Sequence, residues 1–210
     1  MIVIVDLGLG NIFNICRAFN HVGEDVIVTD DVAKIRAADK LVLPGVGSFK
    51  AGMYSIEKKG LVGVIKQFAD SGRPILGVCL GMQLLMEYSE ENGGIMGLGI
   101  IPGKVRYLQN IDGFLPKFKV PNIGWNTLLE GYCDWSETVL DKINTHDEFY
   151  FVHSLCVVTE NKYQLSSSNY GGVSFTSVIK KGNITGCQFH PETSGEIGLS
   201  IIEKFGIGGV

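Results

Sequence analysis

Three separated points of this 210-residue sequence carry groups suited to acyl transfer: a cysteine, a histidine and a glutamate. Cys79 stands in Gly77-Val78-Cys79-Leu80-Gly81, after the apolar run Pro74-Ile75-Leu76 and before the helical pattern Met82-Gln83-Leu84-Leu85. A nucleophile bracketed by glycines where a strand turns into a helix is the layout of a nucleophile elbow, with Cys in the place usually held by Ser. So sharp a turn leaves no room for flanking side chains, and glycine fills both places. Unpaired N–H groups and the positive end of the helix favour thiolate over thiol there. Cys16, Cys133, Cys156 and Cys187 lack such a setting and read as small buried hydrophobes.

A thiol nucleophile needs a base, and the sequence holds four histidines. His21 ends a helical pattern and His146 lies in the polar stretch Asn144–Asp147, so both read as surface residues. His153 follows the strand-like run Phe149–Val152 and reads as structural. His190 ends the run Ile184–Phe189 and is followed by Pro191-Glu192. Residues two apart in extended backbone face the same way, and Pro191 favours extended geometry at His190. His190 and Glu192 can therefore present an imidazole and a carboxylate together. The ring would take the thiol proton, and the carboxylate would orient the ring.

The bulk composition excludes several classes. At 45% hydrophobic and 19% charged, the chain can bury a good core and is too apolar for disorder. A net charge of −4 leaves no nucleic-acid footprint. No apolar run reaches membrane-spanning length, and Ile2–Val5 is too short for a signal segment. Five cysteines without paired spacing point to a reduced, cytoplasmic chain. No His/Cys cluster has metal-ligand spacing, and the chemistry calls for no cofactor.

The elements that must position these groups alternate strand and helix as far as Tyr88. Met1–Asp6, Asp25–Thr29, Lys40–Leu43 and Pro74–Val78 read as strands. Between them lie helical patterns, including Gly60–Asp70 with Leu61, Val64, Ile65 and Phe68 on one stripe. That alternation predicts a parallel α/β sheet. Gly8-Leu9-Gly10-Asn11 would fit a dinucleotide turn only with glycine at Phe13, so it reads as a tight strand–helix turn. Pro44-Gly45-Val46-Gly47-Ser48-Phe49 follows the third strand, lacks the Lys and Thr of a phosphate loop, and reads as a source of backbone N–H donors near Cys79. After the solvated loop Glu90–Gly94 come short runs at Gly103–Leu108, Lys119–Val120, Phe149–Val152, Leu155–Thr159, Tyr163–Ser167, Val173–Lys180 and Ile184–Phe189. These predict a mainly antiparallel continuation of one domain spanning 1–210. A closing helix over Ile197–Phe205 and a loose tail over 206–210 complete the reading.

Several stretches together carry a family resemblance. They are Pro44-Gly45-Val46-Gly47, Gly77–Gln83, Val120-Pro121-x-x-Gly124-Trp125-Asn126, Tyr150-Phe151-Val152-His153-Ser154 and Gln188-Phe189-His190-Pro191-Glu192. In this order the chain resembles a class I, triad-type glutamine amidotransferase. Within that class it is similar to the glutaminase subunit of imidazole glycerol phosphate synthase. The resemblance implies a flavodoxin-like open twisted sheet, parallel in its N-terminal half with an antiparallel C-terminal extension, and helices on both faces. It implies that Cys79 attacks the amide of L-glutamine, that His190 is base and then acid, and that Glu192 orients it. A thioester forms and water releases glutamate. Leu80 N–H and an N–H of the Val46–Gly47 peptide would hold the oxyanion, Gly47 permitting an inward turn. Gln83, Ser154 and Gly45 would bind substrate.

The same resemblance implies a (β/α)8 barrel synthase as partner in histidine biosynthesis, forming a heterodimer and receiving ammonia. Its docking face would lie on the Cys79 side, with Asn11, Asn14, Pro121, Trp125 and Lys181 as candidates; Trp125 could equally be core. Asn122-Ile123 stands where His-Met is usual, Leu155 where Tyr is common, and Thr193 where Lys often follows His-Pro-Glu. These departures keep open a paralogous subunit that feeds a sugar amidotransferase of surface polysaccharide biosynthesis. A non-catalytic flavodoxin-like subunit conflicts with the intact Cys79, His190 and Glu192. A hydrolase or stress protein sharing only the elbow conflicts with Gly47, Gln83 and Ser154.

Overall fold

Ile2–Val5 has no polar residue, and the strand it forms, β1, is buried on both faces. Its alternate side chains feed two cores, Val3 and Val5 one, Ile2 and Ile4 the other. The computed structural model describes residues 1–208. From β1 the chain runs through α1 (Ile12–His21), β2 (Val26–Thr29), α2 (Val32–Ala37), β3 (Lys40–Leu43), α3 (Phe49–Lys58), α4 (Val62–Asp70), β4 (Ile75–Val78) and α5 (Leu80–Leu84). The second half adds β5 (Met86–Ser89), β6 (Ile95–Met96), β7 (Ile101–Tyr107), β8 (Asn122–Thr127), β9 (Leu129–Glu130), β10 (Glu148–His153), β11 (Leu155–Val158), β12 (Gln164–Tyr170), β13 (Val173–Lys181), β14 (Ile184–Cys187) and α6 (Gly195–Ile207).

Twelve strands make one sheet, with the central order β2-β1-β3-β4-β14-β13-β11-β7-β5-β6. β2, β1, β3, β4 and β14 are mutually parallel; β13, β11 and β7 continue antiparallel. The expected parallel half with an antiparallel extension is therefore present. Buried residues of α1 and α6 pack into one core and those of α2, α3 and α4 into the other, so helices cover both faces. The last strand in the chain, β14, lies beside β4, which brings His190 and Cys79 to the same sheet edge. Among the described residues no helix is long and apolar enough to cross a membrane.

Four local expectations need correcting. Lys119–Val120 is not a strand; the strand begins at Asn122 and pairs with β10 as a separate two-stranded ribbon. Glycine and asparagine inside β8 hid it, because they break apolar alternation. Glu90–Gly94 holds a short 3-10 turn rather than a solvated loop, and Glu91 is buried, its carboxylate accepting the Lys50 N–H at 2.8 Å. The helical pattern after Cys79 stops at Leu84, and β5 follows at once. Helix α6 runs on to Ile207, so 206 and 207 are helical rather than part of a loose tail; 209 and 210 lie outside the described residues.

Candidate active site

The elbow at Cys79 follows from close packing. A Cβ on Gly77 would sit 2.8 Å from Met82 N, and one on Gly81 would collide with the Leu43 carbonyl oxygen. Cys79 itself takes φ +53° and ψ −106°, a backbone conformation that L residues adopt only when their surroundings enforce it. Its N–H donates to the Cys187 carbonyl at 2.7 Å, which ties the turn to β14.

His190 is fixed from the other side. Its N–H donates to the Tyr150 carbonyl at 3.0 Å. The Ser194 hydroxyl donates to the His190 carbonyl at 2.7 Å and accepts the Tyr150 N–H at 3.0 Å. His190 is extended, but Pro191–Thr193 forms a 3-10 turn rather than continuing the strand. The expected pairing thus arises by another route, in which proline opens the turn and the turn folds the carboxylate back. Nδ1–H donates to Glu192 Oε1 at 2.8 Å, leaving Nε2 free for the sulfur.

Cys79, His190 and Glu192 line one cleft of about 620 Å³ together with Gln83, Ser154, Gly47 and Leu80. Burial alone would lower the His190 pKa; interaction with the Cys79 sulfur and the Glu192 carboxylate more than offsets it and holds the ring up at about 10. The arrangement can therefore shelter a thiolate–imidazolium pair. Burial pushes the Cys156 thiol up to about 12 and raises Cys187 as well, so both stay protonated and inert. Among the described residues Cys79 is the one cysteine lining the cleft. His21 and His146 are exposed, as expected.

His153 is buried against Phe151 and Phe175. Its Nδ1 lies 2.8 Å from the Leu155 carbonyl, which can only accept, so Nδ1 carries the proton. Nε2 then accepts from the Asn122 amide at 3.0 Å. Burial pulls its pKa down to about 4, with the Leu155 hydrogen bond opposing and the His190 charge assisting. Between that value and 6.5 the unfolded chain binds a proton that the folded chain refuses. Stability should fall as pH drops through this window, by on the order of 3 kcal/mol in all. His190 has the opposite sign: its contribution is complete below pH 6.5 and is lost as pH rises towards 10. Urea midpoints measured against pH should form a bell. His153→Gln, which cannot titrate, should flatten the acid limb; an unchanged limb would assign acid lability elsewhere.

The family model described as glutamine amidotransferase class-I matches residues 3–208. The chain belongs to the class I glutamine amidotransferases. It is 45% identical to imidazole glycerol phosphate synthase subunit HisH 1 of Legionella pneumophila (strain Lens), covering 96% of each chain. The corresponding HisH subunit of Geobacillus sp. (strain WCH70) is 38% identical over 98% of this chain and 95% of that one. Among solved structures, PurLQS from Thermotoga maritima shares the fold at a TM-score of 0.70, with 17% identity over 97% of this chain and 96% of that one. As a member of this family the chain is a glutamine-hydrolysing enzyme.

Placed against that family, most expected site residues converge. Gln83 reaches the cleft, but its amide nitrogen is committed to the Leu155 carbonyl at 3.1 Å and to Gln188 Oε1 at 3.0 Å. It therefore offers a ligand only an acceptor oxygen. Ser154 lines the cleft between β10 and β11. Val46 and Gly47 line the cleft beside Leu80. Leu80 N–H donates to the Gly45 carbonyl at 3.3 Å, so the carbonyl of the Gly45–Val46 peptide faces the elbow in this structure. Gly45 packs on Leu80, where a Cβ would stand 3.1 Å from a side-chain methyl. Gly47, at φ +108° with open space around it, forms the next joint.

Asn11, Asn14 and Pro121 line the cleft, and Asn11 caps α1 by accepting the Asn14 N–H. Trp125 is 52% exposed against Tyr150, which removes its core reading. Lys181 is misplaced. It pairs with Ile184, whose neighbour Ile75 begins β4, while Cys79 follows the other end of that strand. Its ammonium donates to the Ile100 carbonyl, so it cannot share a docking face with Cys79. Two residues near the sulfur escaped the sequence reading. The Cys79 thiol directs its hydrogen bond to the Val152 carbonyl at 3.8 Å, and Gln188, just after β14, reaches the sulfur. Gln188 was within reach of the period-two rule, since it stands two residues before His190.

Proposed function

We propose that this chain is the glutaminase subunit of an imidazole glycerol phosphate synthase. It would hydrolyse L-glutamine through Cys79, His190 and Glu192 and pass ammonia to a (β/α)8 synthase in histidine biosynthesis. The observation that carries the chemistry is one cleft in which a strained cysteine faces a histidine already paired with a carboxylate. The relatives' identity supports the pathway.

His190 Nε2 takes the Cys79 proton, and the sulfur attacks the side-chain amide carbon of glutamine. The carbonyl oxygen becomes an oxyanion beside Leu80 N–H. His190 returns its proton to the amide nitrogen, the C–N bond breaks, and ammonia leaves a γ-glutamyl thioester. Water, deprotonated by His190, then attacks the thioester; glutamate departs and the thiol is restored. Glu192 keeps Nε2 aimed at the sulfur and balances the imidazolium. Turning the Gly45–Val46 peptide would withdraw the carbonyl from Leu80 N–H and bring in Val46 N–H as a second donor. Such a donor is worth about 10²–10³ in kcat.

Released ammonia is useful only while it stays unprotonated, so the cleft must open onto a partner. Exposed apolar side chains suit this: Val46 lines the cleft, Phe13 precedes the cleft-lining Asn14, and Trp125 packs on the cleft-lining Tyr150. The test measures glutamine hydrolysis with the chain alone, then with the barrel synthase of a HisH-containing relative and its ligand. Turnover should be slow alone and rise about 10²–10³-fold in the complex, matching the gain of one oxyanion donor. No rise there, combined with stimulation by a sugar amidotransferase barrel, would transfer the subunit to polysaccharide synthesis.

A further inference from the structure

Gln188 follows β14 and is fully buried. Its Nε2 lies 3.7 Å from Cys79 Sγ, within reach of a hydrogen bond to sulfur. An amide can present either end, and here the direction is set by a chain of partners. The Leu155 carbonyl can only accept, so it receives an N–H from Gln83 at 3.1 Å. The other hydrogen of the same Gln83 nitrogen goes to Gln188 Oε1 at 3.0 Å. With its oxygen committed as acceptor, Gln188 must turn its nitrogen to the sulfur. A backbone carbonyl that cannot reverse thus fixes a donor at the nucleophile.

A thiolate accepts a charge-assisted hydrogen bond, whereas a thiol is a weak acceptor. A fixed donor at this distance favours the charged form. It also opposes the Val152 carbonyl, which receives the thiol proton at 3.8 Å and so favours the neutral form. We infer that Gln188 is a further catalytic residue, whose Nε2–H holds the Cys79 thiolate in a direction locked by Gln83 and the Leu155 carbonyl. The inference rests on the proposed role of Cys79 as nucleophile. It gives Gln83 a second task besides facing the ligand.

The titratable groups lining the cleft with the sulfur are His190 and Glu192 beyond β14, His153 and Tyr150 in β10, Tyr107 in β7 and Glu91, with Cys187 in β14 behind the elbow. Substituting Gln188 leaves all of them in place. The test is the rate of Cys79 alkylation by iodoacetamide against pH in wild type and Gln188→Met, with Cys79→Ala as the blank for the other thiols. Methionine keeps the length and loses the donor. The midpoint should move up about one pH unit, so that alkylation well below the wild-type midpoint slows about tenfold, with the high-pH plateau retained. A purely structural role would lower the melting temperature without moving the midpoint, so an unmoved midpoint in folded Gln188→Met overturns the inference. If that variant does not fold, Gln188→Asn keeps the amide but withdraws it by one methylene. The same upward displacement is expected of it, and a wild-type profile counts against the donor. Because alkylation reads the sulfur rather than glutamine turnover, an unmoved midpoint with normal glutaminase activity rejects this role alone. Failure of wild type to hydrolyse glutamine would reject the earlier proposal.

Discussion

Cys79→Ala should reduce glutamine hydrolysis to background, a loss of about 10⁴-fold or more in kcat. The loss should be complete because no other thiol can substitute. Cys156 and Cys187 are buried and held protonated, while Cys16 and Cys133 do not line the cleft. Water attacking glutamine directly would lack the thioester that divides the reaction into two easier steps. The fold should survive, since alanine removes one sulfur from a side chain already partly open to the cleft. With the barrel partner present, ammonium salts should still support the synthase reaction at near wild-type rate. Glutamine-dependent product formation by the alanine variant would contradict the assignment of the nucleophile; loss of the ammonium-dependent reaction would show damaged docking instead.

Among the described glycines, Gly81 should be the one at which an added methyl does most damage, in Gly81→Ala. The added carbon would overlap the Leu43 carbonyl oxygen, which belongs to backbone at the end of β3 and cannot rotate away. Relief requires β3 and the elbow to separate in the middle of the sheet. Destabilisation of about 4 kcal/mol or more is expected, a large share of a typical folding free energy. In a chain of this length it corresponds to a fall in Tm of about 10 °C. Gly63→Ala is the matched control. Gly63 is exposed in α4 with open space around it, so alanine there should stabilise by about 0.5–1 kcal/mol. Near wild-type stability of Gly81→Ala, measured by urea unfolding, would show that the elbow does not depend on this contact.

The elbow was readable because its constraint is local. A strained residue between two close-packed glycines leaves the same mark in the sequence as in the structure. His190 and Glu192 were readable for a similar reason, although proline placed them through a turn rather than a strand. What depended on register was not readable. Lys181 is a cation near the end of a strand, and nothing in its neighbourhood says which end of the sheet that strand reaches. Only the pairing of β13 with β14, and of β14 with β4, places it away from Cys79. β8 was hidden because its inward positions hold Asn122 and Gly124, whose partners lie in β10. Asn122 marked a departure from the family pattern, and its meaning appears only with the His153 ring beside it. Gln188 shared the alternation that linked His190 to the site, but its partners at Gln83 and Leu155 are distant in sequence.

The Gly45 carbonyl that accepts the Leu80 N–H stands, on the proposed mechanism, where glutamine's own oxygen must go. It is a competitor built into the chain. Its local concentration is set by covalent attachment and cannot be diluted, and no rise in glutamine displaces it efficiently. The enzyme's output would then follow the state of the loop rather than the supply of substrate. A cell could hold abundant glutamine without losing its nitrogen to an idle subunit.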